Sequence, residues 1–433
     1  MFKSWRCLFV VSFAAFLALI CSGIIAGDAA PADNQNPAPQ LKTTETSLGE
    51  LDKGVIAETL TVSPNSKRVA YFAKRGEKRL VVVDGITGKE YDGFAQGPPV
   101  FSPDSKRVAY GARRGEKRFV VIDGVEGTEY DAIGDGSLVF SPDSKRIAYA
   151  VIRGKQWRVV IDGVESKEYD GIGFIAFSPD SKRVAYAVKH GEKWFVVLEG
   201  VEGKEYDGIG NGTLTFSPDS RRVAYIAWRG EKLLVVVDGV DGKEYDGFCT
   251  VPVFSPDSTR LGYGAIRGKK WFVVVDGGEG KEYDRAGLIV FSPDSKRVAY
   301  AARRGEKWLV VVDGGEGKGY DAIGDGSLVF SLDSKRVAYG AGRGEKWLVV
   351  VDGSEGKGYD HIAGWPVFSP DSKRVAYGVK RGEKWLVVFD DVEGKEYDGG
   401  VKGSRLVFDS PTKLHTLAMR GNEILLVEIE ITE

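Results

Sequence analysis

Almost everything after residue 45 is one segment copied about ten times. Phe101-Ser-Pro-Asp-Ser-Lys-Arg-Val-Ala-Tyr110 returns with small changes from Phe140, Phe177, Phe216, Phe254, Phe291, Phe330 and Phe368, as a variant from Val62 and in decayed form from Phe408. The steps are 37 to 40 residues. A unit of that length is one supersecondary module that cannot bury a core by itself, so the copies must stack on one another.

Each copy reads as four short strands. Strand A is the apolar run before the Pro-Asp turn, such as Ser137-Leu138-Val139-Phe140. In the turn, Pro fixes φ at the first corner and Asp can accept from a following backbone N–H. Strand B, Arg107 to Ala112, alternates large and small residues, and Arg114-Gly115-Glu116-Lys117 turns it into strand C. Strand C, as in Trp308-Leu309-Val310-Val311-Val312, is apolar on both faces and needs cover on both. Asp313-Gly314 begins the next turn, and strand D is short and polar, as in Lys204-Glu205-Tyr206-Asp207. No ten-residue stretch after the N-terminal segment shows helical spacing, so an all-β propeller of four-stranded blades is expected.

Closure is also legible. Glu50-Leu51-Asp52 followed by Leu60-Thr61-Val62 copies Glu205-Tyr206-Asp207 followed by Leu214-Thr215-Phe216, so the folded region opens on a D strand. Arg405 to Phe408, Leu414 to Met419 and Ile424 to Ile429 supply A, B and C at the other end. Joining them removes both open sheet edges, which favours a single ring of about ten blades over two smaller propellers in tandem.

Lys3 and Arg6 precede an uncharged run from Cys7 to Gly27, and Asp28 opens a polar stretch. This pattern marks residues 1–30 as an export signal, or as a membrane anchor if uncleaved. Residues 31–45 then read as a flexible linker and 46–433 as the propeller. The body is placed in the periplasm or outside the cell, touching membrane only through an uncleaved N-terminal segment. With Cys7 and Cys21 in that segment, only Cys249 remains and no internal disulfide can form. Lys+Arg 60 against Asp+Glu 62 leaves a net charge of −2, which gives no reason to expect a nucleic-acid partner.

The motif Phe-Ser-Pro-Asp-Ser-Lys-Arg-Val-Ala-Tyr, the Arg-Gly-Glu-Lys turn and the closing Val-Asp-Gly together resemble the WD-like β-propeller repeat of the TolB family, over about 390 residues. The resemblance implies a propeller and an exported protein. That family's N-terminal α/β domain has no room here, and the hydrolase domain of propeller-capped serine peptidases has no Gly-x-Ser-x-Gly to mark it. Asp84 to Tyr91 is similar to the docking turn of quinoprotein propellers, but Tyr stands one place early where those carry Trp; a glycine turn explains it.

From each motif Phe to the Asp of the following Tyr-Asp pair the interval is constant at 30 residues, so length variation falls between strand D and the next strand A. That locates the variable surface on the face bearing Arg-Gly-Glu-Lys, where His190, Trp228, Cys249, His361 and Trp365 break the repeat and form the candidate binding surface. Three scattered histidines do not make a zinc site, and a lone Cys249 is not a nucleophile constellation. The six tryptophans that open strand C, among them Trp157, Trp194 and Trp271, recur with the blade and read as packing residues. No catalytic group, cofactor or metal ligand set is nominated. The expectation is a monomeric, noncatalytic scaffold binding a protein or glycan of the cell envelope. The alternative, an enzyme acting on a glycan or small ligand, would need two carboxylates within about 10 Å at the channel mouth. For the export segment, mass spectrometry of the secreted protein should place the mature N-terminus between residues 22 and 31; soluble cytoplasmic protein with Met1 intact would refute this.

Overall fold

The structure is a computed structural model that describes residues 39–432 apart from residue 96. The expected export signal and residues 31–38 of the expected linker lie outside the described residues.

Blade 2 shows how the repeat becomes a sheet. Strand B, Val108–Arg114, pairs antiparallel with strand C, Lys117–Ile122, across a two-residue turn in which Gly115 takes φ +58. Asp123 and Gly124 then adopt φ +50 and +81 and turn the chain into strand D, Val125–Glu126, as an Asp-Gly hairpin requires. Tyr130 rejoins strand C through a bridge to Arg118. Strand A lies on the other side of B in two pieces, Gly93–Phe94 and Val100–Phe101. Ten sheets of this plan follow along the described residues.

Neighbouring sheets share one apolar core after another, and the last is shared by blades 10 and 1, where Val401, Leu417 and Ile424 pack with Val69, Leu60 and Val62. The A strands of blades 3 to 5 and of blades 6 to 9 approach their neighbours within 8 Å on the inner side. One ten-bladed ring results. The tandem alternative fails because no break interrupts this series of interfaces.

The repeated charges of the blades hold neighbouring blades together. Arg107 donates from Nε to Asp123 of its own blade at 2.9 Å, donates from Nη1 to the Ser144 carbonyl of the next blade at 3.1 Å, and lies 5.4 Å over the ring of Phe140. Arg68, Arg146, Arg260, Arg297 and Arg336 repeat this set. On the opposite face Asp92 accepts from Lys78 in its own blade and from the Gly115 N–H of the next. Tyr91 meets Tyr110 of the next blade edge to face at 6.2 Å, and its hydroxyl donates to Glu126.

The ring closes through a split blade. Gln40–Glu50 pairs with Glu423–Thr432 from Gln40 opposite Thr432 to Glu50 opposite Glu423. Residues 40–45, expected in the linker, are therefore strand; their outward side chains, Lys42 and Thr44 among them, are polar because one face is wet, which made the segment read as a tether. Glu45 takes the place that Glu126 or Glu393 holds elsewhere. It accepts from Tyr397 at 2.8 Å and Arg420 at 2.7 Å, and pairs with Lys395 at 2.7 Å. At the facing edge of the seam His415, buried, places Nδ1 2.8 Å from Asp409 Oδ2 and Nε2 2.7 Å from the Asn65 carbonyl.

The Lys395 hydrogen bond, then those of Arg420 and Tyr397 acting against partial burial, hold Glu45 down from 4.5 to about 2. A carboxylate depressed in the folded state stabilises above its unfolded value and loses that contribution as pH falls through the folded one. Glu45→Gln should therefore lower the melting temperature at pH 6, with the gap to wild type narrowing as pH falls from about 4.5 toward 2. A gap independent of pH would show that Glu45 does not fasten the seam by charge.

Candidate functional site on the channel wall

The blades differ most in strand A, the innermost strand. Strand A begins directly after the Tyr-Asp pair, as where Asp131 N–H donates to the Ile152 carbonyl and Ala132 pairs with Ile152. The length variation expected between strands D and A, on the Arg-Gly-Glu-Lys face, thus lies inside strand A and faces the channel. In blade 3 the strand leaves the ladder after Ala132–Ile133 and rejoins at Val139–Phe140; in blades 4, 7 and 9 it runs through, Gly171–Phe177, Arg285–Phe291 and His361–Phe368, with bulges.

Where the strand leaves, a hydroxyl replaces the lost backbone partner. Ser137 Oγ accepts from the Ala150 N–H at 3.0 Å and donates to the Gly134 carbonyl at 2.7 Å. Thr213 and Ser327 do the same for Ile226 and Gly340, and Ser404 accepts from Leu417. The preceding glycines, among them Gly136 at φ +63 and Gly403 at φ +87, occupy the left-handed region the turn needs. This Asp/Asn-Gly-Ser/Thr turn was visible at Asp135, Asn211 and Asp325, and the sequence reading passed over it. In blade 10 Lys402 stands in the acidic position.

The five candidate residues do not converge. His190 ends strand B of blade 4, exposed, and Trp228 lies against Gly208 within blade 5. His361 begins strand A of blade 9 with its ring edge on Trp347, 6.0 Å between centroids. Cys249 sits on the channel wall against Gly264, and burial pushes its thiol up to about 12, which suppresses the thiolate. Trp365 also lies in strand A, its indole over Gly324 and Gly340 of blade 8. Cys249 and Trp365 therefore belong to the wall rather than to the outer face.

Three clefts open on that wall. One of about 480 Å³ lies across blades 3 to 5, with Asp135 and Asn211 on its turns and Trp157 and Trp194 behind them. A second, of about 560 Å³, lies across blades 6 to 8 and contains Cys249, Trp308 and Asp325. The third, about 710 Å³, spans blades 8 to 10 and contains Trp365, Lys380, Lys402 and Arg405. Of the exposed apolar residues, Phe174, Val251 and Trp365, at 38%, 45% and 37%, fall one in each, while the more exposed Ile86, Val125, Val164, Val201, Val240 and Leu332 lie elsewhere. The clefts carry one, one and no carboxylate, which does not supply the pair that glycoside cleavage uses.

No family model and no curated protein matches the chain. Among solved structures it is similar to a eukaryotic initiation factor at 13% identity and a TM-score of 0.43, covering 78% of this chain and 87% of that one. The Dos1 propeller is 11% identical with a TM-score of 0.38, over 87% and 97% of the two chains. TolB from Acinetobacter baumannii is 14% identical with a TM-score of 0.28, over 66% and 78%. At these scores the likenesses carry no argument, and the propeller stands on its ten sheets and their shared cores.

The strand C tryptophans differ in burial. Trp385 is 4% exposed within the core between blades 9 and 10, so Trp385→Ala should cost about 3–5 kcal/mol. Trp365→Ala should cost clearly less in the same thermal melt, since its ring is already partly solvated. Equal losses would make Trp365 a packing residue.

Proposed function

We propose that the chain is a noncatalytic, exported binding scaffold of the cell envelope that takes a protein or glycan partner at its channel wall. The observation that carries this is the placement of Phe174, Val251 and Trp365, partly exposed on a rigid ring, one in each wall cleft. Exposed apolar side chains held on a rigid frame act as anchors. The charges that repeat around the outer faces are engaged between or within blades, whereas the wall is where blades are individual. The resemblance of the repeat to the TolB family, and the signal-like N-terminal sequence, support the envelope setting.

The test is crosslinked capture from an envelope extract with the secreted protein as bait. The triple variant Phe174→Ala, Val251→Ser, Trp365→Ala should lose its captured partner while keeping its melting temperature close to wild type. The pair Glu116→Ala, Glu306→Ala, exposed on the Arg-Gly-Glu-Lys face, should keep it. Capture that survives the wall variant and fails with the face variant overturns the reading.

A further inference from the structure

We infer that the cleft across blades 8 to 10 binds a short carboxylated oligosaccharide, with sugar faces against the Trp365 indole and carboxylates on Lys380, Lys402 and Arg405. This deepens the scaffold reading and rests on it. Three cations line this cleft and no acid does. Among the described residues none of the three is within ion-pair distance of a carboxylate, although most lysines and arginines elsewhere in the repeat are paired. A cluster of like charges without counterions is repulsive, and a bound polyanion relieves it.

Two features make this cleft unlike the other two. Lys402 occupies the turn position held by Asp135, Asn211 and Asp325, so a cation stands there in blade 10 alone among those turns. The loop between Gly399–Gly400 and Val407–Phe408 is also longer than its counterparts in blades 3, 5 and 8, and it carries both Lys402 and Arg405. Lys380 reaches the same cleft from strand B of blade 9, Val375–Arg381. The charges are thus spread over two blades rather than gathered on one point. That distribution suits a ligand with one carboxylate per unit better than a single phosphate group.

Apart from the hydroxyls of Ser404 and Thr416 the remaining lining is small or apolar, and Gly364, Pro366, Leu406 and Gly326 leave the indole accessible. A flat amphipathic ring beside donors is the arrangement that receives a sugar's C–H face while its polar edge is hydrogen-bonded. The volume, about 710 Å³, lies within the usual range for small-ligand sites.

Titration calorimetry on the secreted protein with trigalacturonate, maltotriose and GMP tests the assignment. Trigalacturonate should bind and maltotriose should not, and raising sodium chloride from about 50 to about 500 mM should weaken binding. Lys402→Asp with Arg405→Ala should weaken it at least about tenfold, and Trp365→Ala should do so without the salt dependence changing. If the double variant melts early, Lys402→Gln replaces it. Absence of trigalacturonate binding, equal binding of maltotriose, tighter binding of GMP, or affinities unaltered by the substitutions would each overturn the inference. Envelope capture that persists in any of those cases, and is still lost in the wall variant, leaves the scaffold reading standing.

Discussion

In six of the ten blades an arginine at the same place, Arg107 among them, orients its blade on the next. Its Nε is fixed by an aspartate at the C to D turn, so the planar group projects across the interface, where it meets a backbone carbonyl and the face of a phenylalanine. A lysine could not do this, because the task needs donors in two directions and a flat face at once. The Ser-Pro-Asp-Ser turn serves the same junction: the Asp104 N–H donates to Ser144 Oγ of the next blade at 2.9 Å, with that serine at φ +64. Repetition of this sequence is thus repetition of an angle between blades.

The arginine sets geometry while the core supplies energy. Arg107 and Asp123 are 32% and 44% exposed, and ion pairs that wet contribute up to about 1 kcal/mol each. A buried Val, Leu or Phe contributes about 1.5–3 kcal/mol, and each interface buries several, such as Tyr130, Ile147, Val151 and Val160 between blades 2 and 3. Removing a repeated charge should therefore loosen alignment before it unfolds the ring.

The fold was readable because its signals are local and repeated: the Pro-Asp turn, the Asp-Gly hairpin and the unbroken apolar C strand leave no helical alternative. Ring closure could be read because Glu50 to Val62 copies a segment whose place was already known. What failed was the inner strand. Counting from Tyr-Asp to Phe locates a length change but cannot say whether the extra residues sit before strand A or inside it; that is decided by Asp131 joining strand B at once and by Ser137 covering the vacated N–H. Trp365 and Cys249 are unlike their copies in the other repeats, and the strand register places them on the channel. Lys402 is an ordinary surface lysine by sequence alone, and only its alignment with Asp135, Asn211 and Asp325 sets it apart.

Near-identical blades create a problem of address during folding. Any C strand awaiting a partner resembles the others, and most D strands are only two residues long with one bridge beyond, so a slipped or swapped pairing would cost little. The seam is the exception. Its D strand has 11 residues and faces a ten-residue partner, and the same blade meets blade 1 through a histidine pinned between Asp409 and Asn65 that no other interface among the described residues copies. The two termini therefore carry the one pairing in the ring that cannot be mistaken for another, and the number of blades is counted by where that pair meets.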